Sequence, residues 1–331
     1  MSPVRLLALL VFLLLAILGW FAYRLTSAPN LDAYADRLMP PSPVSPGHMS
    51  ATFLGNTTVL FDDGETAILT DGFFTRPSAF KLLTGKIQPS REVIAASLHQ
   101  AGIGKLAAVV VSHSNYDHAM DAPEIAHETG ALLIGSASTA NIGRGWGLPE
   151  NQIVVAKHGE VFRFGKFEIS MWPSAHVADA RWPTGEITEP LRSPANAGDY
   201  RDGGTHAILI SHAGRNMLLS ASASFMPGAL RGVKAEVIFL GVGLLGRQGL
   251  ERQEDYWREM VTKLEGRRAI LVHWDNFTLP LDRPLVPLPR QFDDLDVTMN
   301  VLTKLGREDN VEVRLPVAWQ PFDPFIGLPP R

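Results

Sequence analysis

The chain has 331 residues, 46% of them hydrophobic and 19% charged, with a formal net charge of −4. That is enough apolar material for a sizeable core, and with no basic tract or Lys/Arg-rich stripe the chain is not expected to bind nucleic acid. There is no cysteine, which excludes disulfides, thiolate metal sites and a cysteine nucleophile.

The first element in chain order is an uncharged run of 18 residues, Leu6 to Tyr23, bracketed by Arg5 and Arg24. As a helix at about 1.5 Å per residue such a run spans roughly 27 Å, close to a bilayer core. Trp20 and Tyr23 stand near one end, where interfacial aromatics sit. The run reads as an uncleaved transmembrane anchor (residues 6–23), since the apolar core of a signal peptide is usually about 7–15 residues. The one plausible cleavage site, Thr26-Ser27-Ala28, is followed by Pro29. Arg5 lies on one side of the span and Arg24 and Arg37 on the other, so the cations are divided. The expectation taken here keeps the short N-terminus inside and the large domain outside the cytoplasm, periplasmic if the source is bacterial.

Residues 24–50 carry Pro29, Pro40, Pro41, Pro43 and Pro46 and read as a semi-extended linker rather than packed structure. The globular domain is expected over 51–331. Thr57 to Asp62 and Thr66 to Asp71 read as strands joined at Asp63-Gly64. Ser90 to Ala101 reads as a helix capped by Ser90, and Ala107 to Val111 as a buried strand. A helix capped by Asp121, with Pro123 in its first turn, should stop at Gly130, before a strand over Ala131 to Ile134. Hairpins follow around Gly165-Lys166 and Gly214-Arg215. Val237 to Leu240 and Ala269 to Val272 read as buried strands, and helices are expected over Glu254 to Leu264 and Phe292 to Leu305, closed by Gly266 and Gly306. Hairpins alternating with helices in two halves predict an α/β fold of two sheets packed face to face and covered by helices.

The strand Ala107 to Val111 runs into Ser112-His113-Ser114-Asn115-Tyr116-Asp117-His118. Two imidazoles and a carboxylate at a strand end suit zinc, with iron or manganese as alternatives. Three further strand ends carry polar groups: Asp71, His176 and His273. Strand ends in layered α/β folds are where loops converge on a rigid scaffold, so these residues are expected to assemble. His206, Tyr116 and Asp275 are further candidates for proton donors or substrate contacts.

The spacing His113-x-Asn115-x-Asp117-His118, with the later His176 and His273, resembles the metallo-β-lactamase superfamily. The opening Leu54-Gly55-Asn56-Thr57-Thr58-Val59-Leu60 and Ile68-Leu69-Thr70-Asp71 are most similar to the branch of N-acylphosphatidylethanolamine phospholipase D and the sugar-phosphate lactonases. The resemblance implies an αββα four-layer sandwich behind an N-terminal transmembrane helix, with a metal cleft at one edge of the two sheets. Carried over residue by residue, it implies one metal position built from His113, Asn115 and His176, and another from Asp117, His118 and His273. Asp71 would orient a ligating histidine. Two departures stand out. Asn115 replaces a histidine, and Ser222, in Leu218-Leu219-Ser220-Ala221-Ser222, stands where the family has a bridging aspartate. Both weaken the first position, so one tightly bound zinc is expected at the second, next to a weak or vacant neighbour.

The implied chemistry is a metal-bound hydroxide attacking a phosphodiester or ester-type centre, with a small molecule or lipid as substrate and the membrane contacted through the N-terminal helix. Lactone or β-lactam hydrolysis, and a degenerate binding protein that keeps only the fold, are the alternatives. The loops Asn141 to Glu150 and Ala178 to Tyr200 are expected to wall the cleft.

Overall fold

The computed structural model describes residues 2–42, 47–177 and 183–330. The first element, α1 (Pro3–Thr26), is a 24-residue helix with Pro3 in its first turn and no buried residue. It is long and apolar enough to cross a membrane, with a mean hydropathy of 2.6.

The next segment packs more than its proline content suggests. Leu31–Arg37 forms a 3-10 turn. Leu31 and Tyr34 pack partly buried on the core. The Met39 side chain is only 2% exposed and its amide donates to Leu315 O at 2.8 Å. The prolines set the backbone, but the apolar residues between them find a surface to bury. Part of the expected linker is therefore attached to the domain. Pro43 and Pro46 lie outside the described residues.

Seven strands form the first sheet, in the order β16-β1-β2-β3-β5-β6-β7. Their ranges are β1 (Ser50–Phe53), β2 (Val59–Asp62), β3 (Ala67–Thr70), β5 (Ala108–Val110), β6 (Leu132–Gly135), β7 (Ile153–Val155) and β16 (Pro321–Phe322). A two-stranded ribbon pairs β4 (Lys86–Ile87) with β10 (Ala195–Asn196). The second sheet runs β15-β14-β13-β12-β11-β9-β8. It contains β8 (Val161–Phe164), β9 (Phe167–Pro173), β11 (His206–His212), β12 (Arg215–Ser220), β13 (Val237–Gly241), β14 (Arg268–Val272) and β15 (Glu312–Arg314). In each sheet one half is antiparallel and the other parallel.

The two-residue period of the strands divides the core. Phe61, Ile68 and Val110 point between the sheets, where Phe61 meets Phe239 edge-on at 5.2 Å. Their neighbours Leu60, Leu69 and Val109 point the other way, against Ile94, Leu98, Ile125 and Ile142. Those four come from α3 (Arg91–Gln100), α5 (Ala122–Thr129) and α6 (Ala137–Trp146). The shorter α2 (Ala79–Thr84) and α4 (Tyr116–Ala119) precede them in their loops. On the far side, Trp257 of α7 (Leu250–Trp257) and Leu302 of α8 (Leu295–Asp309) complete the interior. The layers are helix, sheet, sheet, helix, as the resemblance implies.

Local details differ from the sequence reading. Asp121 precedes α5 but does not cap it. Its buried carboxylate accepts instead from the amides of Phe74 and Thr75 and from the Thr75 hydroxyl, and burial pushes its pKa up to about 6. Asn141 to Trp146, expected as loop, belongs to α6, capped by Ser136. Gly145 is needed there, because a Cβ would lie 2.0 Å from Leu191 O. The helix α7 starts at Leu250 and continues into a π-turn over Arg258–Thr262. Helix α8 runs through Gly306 and ends at Asn310, which takes the left-handed conformation (φ 56°).

Because Met39 is part of the core, Met39→Ala should destabilise the full chain by about 2–5 kcal/mol in denaturant melts. A linker free of the domain would show no change.

Candidate metal centre

The parallel register brings the strand ends to one edge. Thr70 pairs with Val110, so Asp71 emerges beside Val111 and within reach of the next residue, Ser112. Asp71 turns out of β3 with a left-handed backbone (φ 55°) and is fully buried. Its carboxylate accepts from Ser112 N (2.7 Å), Ser112 Oγ (3.2 Å), the Thr57 hydroxyl and His118 Nδ1 (2.9 Å). That last bond places the proton on Nδ1 and turns Nε2 toward Asp117 Oδ2, 3.3 Å away.

His273 leaves the end of β14, also with positive φ (59°), and its amide donates to Asn56 O at 2.6 Å. Its Nε2 lies 3.6 Å from Asp117 Oδ2. One ligand atom from each of Asp117, His118 and His273 falls within 4.8 Å of the others. A carboxylate and two imidazoles, buried or nearly so, are a donor set that fits a divalent ion.

Beneath this cluster lies a brace that sequence reasoning did not assign. Asn56 Nδ2 donates to the Asp117 carbonyl, and Asn56 N donates to Asp275 Oδ1 at 2.8 Å. Asp275 in turn pairs with Arg76 at 2.7 Å, both side chains fully buried. Asn56 thus holds Asp117 and His273 in one register, and the ion pair holds Asn56. Removing one partner of such a buried pair costs about 3–5 kcal/mol. Asp275 is therefore engaged by Arg76 and Asn56 and is not among the residues that line the cleft.

The other half of the site is chemically poorer. His113 packs against His118, with ring centroids 3.8 Å apart, and against His176 at 5.0 Å. His113 Nε2 and Asn115 Oδ1 are buried without a protein partner among the described residues. Asn115 Nδ2 donates to Tyr200 O at 2.9 Å. Ser222 does reach the cleft, where its hydroxyl accepts from Val177 N at 2.9 Å. It brings no charge.

Electrostatics separate the two halves. Burial, helped by the His118 charge, holds His113 well below the usual histidine range and lowers His176 as well. Burial also opposes charge on Asp117, but the His118 charge and hydrogen bonds from His118 and His273 prevail and hold it well below the carboxylate range. His118 is raised to about 10, because Asp117 and Asp71 outweigh its burial. Asp117 and His118 form an ion pair, and a divalent cation bound there would have to displace the His118 Nε2 proton.

The cleft has a volume of about 600 Å³. His113, Asp117, His118, His176 and His273 line its polar end, while Leu82, Leu83, Phe277, Leu288 and Phe292 line the rest. Arg247, which no motif flagged, also lines it. Its guanidinium donates to Gln291 O at 3.2 Å. Two expectations fail here. His206 is not among the lining residues; its ring faces Ser112 O (3.4 Å) and His158 (3.2 Å). Tyr116 is buried against Phe73 rather than in the cleft. Asp71 touches the cleft only through His118, whose ring it orients. Of the expected wall Ala178 to Tyr200, residues 178–182 lie outside the described residues.

The sequence matches the family described as "Metallo-beta-lactamase superfamily" over residues 51–273. The chain belongs to the metallo-beta-lactamase superfamily. A protein of Pyrobaculum arsenaticum named a metal-dependent hydrolase is 24% identical over 159 residues, which cover 46% of this chain and 64% of that protein. Other such hydrolases are spanned less, so the chain covers under two thirds of the length of these relatives. Among solved structures, a metallo hydrolase from the archaeon Ignicoccus hospitalis superposes with a TM-score of 0.52 at 16% identity, covering 82% of this chain and 97% of that one. A diiron beta-hydroxylase from Streptomyces venezuelae superposes at 0.51 and 15% identity, covering 84% and 55%. Likeness at this distance establishes the shared fold alone, and the fold carries more than one chemistry.

Asp71→Asn should keep the fold and weaken metal binding or any turnover by about 10–100-fold, since it loosens His118 without removing a ligand. Calorimetric metal titration of the purified full chain checks this.

Proposed function

We propose that this protein is a membrane-anchored metallo-hydrolase that holds one divalent ion, zinc in the first instance, at Asp117, His118 and His273. It cleaves a phosphodiester or ester bond in an amphiphilic substrate. The observation that carries this reading is the closeness of those three ligand atoms, all within 4.8 Å, in a cleft otherwise lined by apolar side chains. The family and the relatives named metal-dependent hydrolases support its metallo-hydrolase part.

When bound, the ion supplies Lewis acidity and makes a coordinated water more acidic. The rest is done by the chain. Asp117 is ionised and so offsets the ion's charge. Asp71 keeps the His118 proton on Nδ1, leaving Nε2 as a donor atom for the ion. His176 lies in the cleft as a neutral imidazole; its Nδ1 donates to Val177 O at 3.2 Å, which leaves Nε2 to take or give a proton. Arg247 puts a fixed positive charge on the wall, suited to a phosphoryl oxygen. The apolar wall takes the hydrophobic part of the substrate and excludes water. The helix α1 keeps the domain at a membrane, with the domain on the exported side; the length and hydropathy of α1 support the anchor.

The test is elemental analysis of the full chain after mild chelation, alongside a panel of phosphodiesters, esters and lactams. One retained equivalent is expected, with Asp117→Ala losing both metal and hydrolysis. Arg247→Ala should lower phosphodiester hydrolysis by about tenfold while sparing neutral esters. Two equally retained ions would contradict the single-ion site. Hydrolysis unaffected by Asp117→Ala would remove the enzyme reading, and an inert panel would favour a binding protein.

A further inference from the structure

The end of α1 is fastened to the rim of the metal cleft. Ser27 O accepts from Arg290 N at 2.9 Å and Arg24 O from Gln291 N at 3.0 Å. The Arg24 guanidinium donates to Arg290 O at 2.6 Å and pairs with Asp294 at 3.6 Å. Tyr34, just beyond α1, donates to Asp296 at 2.5 Å, and Arg290 pairs with Asp294 and Asp296. The helix that is long enough to span a bilayer therefore leaves it at residues 290–296. The same segment gives Leu288, Pro289 and Phe292 to the cleft wall.

The same cleft is lined by α2, which contributes Ala79, Leu82 and Leu83. This short helix has no buried residue. It leaves Phe80 76% and Leu83 85% exposed, and Phe292 is 45% exposed. Lys81 and Lys86 flank these apolar tips. Aromatic and aliphatic tips beside lysines are the composition of a segment that lies in the headgroup region of an anionic bilayer. Water alone gives no reason for a six-residue helix to present Phe and Leu outward at this place.

The geometry points to a second membrane contact. Phe80 and Leu83 of α2, together with Phe292, dip into the surface of the bilayer that α1 spans, so the mouth of the metal cleft opens at headgroup level. The occupant of this apolar rim is the lipid surface, because the rim is continuous with the exit of α1 and the hydrogen bonds at Arg24 and Ser27 leave that exit little freedom. The inference rests on the anchored-hydrolase reading and deepens it: an amphiphile reaches the cluster from the lipid phase, chain along the apolar wall and polar head toward Asp117 and His118.

The chain has no cysteine, so single labels can be placed without background. The full chain is reconstituted into vesicles of phosphatidylethanolamine and phosphatidylglycerol, carrying Phe80→Cys, Leu83→Cys, Leu15→Cys or Lys166→Cys labelled with a polarity-sensitive fluorophore. Lys166 sits in the turn between β8 and β9, at the end of the strands away from the metal centre. Spin-labelled lipids should quench the probes at 80 and 83 by at least about threefold more than the probe at 166, with emission shifted to the blue. Quenching at 15 together with probes at 80 and 83 no more quenched than at 166 overturns the second contact and leaves the anchor intact. An unquenched probe at 15 overturns the anchor and this inference with it. Neither readout depends on turnover, so an inactive preparation leaves the result interpretable.

Discussion

The site depends on one fully buried carboxylate. Asp71 lies between two strand ends and gathers four hydrogen bonds, from the Ser112 amide and hydroxyl, Thr57 and His118. Those bonds satisfy it in a place where an unpaired polar group would be costly. Its bond to His118 Nδ1 fixes the His118 tautomer, which aims Nε2 at Asp117. On the other side, Asn56 links Asp117 to His273 and is itself held by the buried Arg76–Asp275 pair. The ligand cluster is thus set from below by two buried aspartates, Asp71 and Asp275, neither of which lines the cleft. Preorganisation of this sort lets two separate chain segments, the loop with Asp117 and His118 and the end of β14 with His273, present three donors within 4.8 Å of one another.

The asymmetry of the centre follows from charge. The half built on Asp117 keeps a carboxylate able to offset a divalent ion. The half with His113 and His176 offers rings that burial keeps neutral, the amide of Asn115 turned toward Tyr200, and the hydroxyl of Ser222 bonded to Val177. On the proposed reading this supports one firmly held ion, with the neighbouring half as a lining for substrate. The apolar wall and Arg247 then give that lining its character: a hydrophobic surface with a guanidinium beside the 291–292 segment.

Much of this was legible in the sequence where the chain itself sets the pattern. The two-residue alternation through Leu60-Phe61, Ile68-Leu69 and Val109-Val110 marks strands with two buried faces, and each proved to serve two different cores. Clustered polar donors after a β-branched run marked the loop that brings Asp117 and His118 to the cleft. Caps were less reliable. Ser90 caps α3 as expected, but Asp121 gave its carboxylate to Phe74 and Thr75 because tertiary partners outcompeted its own helix. The helix α6 was missed because Gly143 and Gly145 read as loop, whereas Gly145 is there for close approach to Leu191.

The sequence by itself determined the layered fold, the apolar N-terminal helix and the candidate ligands, because hydrophobic period and clustered donors are local properties of the chain. Only the tertiary structure decided which candidates meet. His206 turned away to His158, Asp275 went to Arg76, and Met39 entered the core despite its proline-rich surroundings. It also decided that Asn56, Arg76 and Arg247 belong to the centre, and that the end of α1 meets the cleft rim. Those pairings join residues far apart in sequence, and they follow from which buried charge finds which partner once the two sheets have closed.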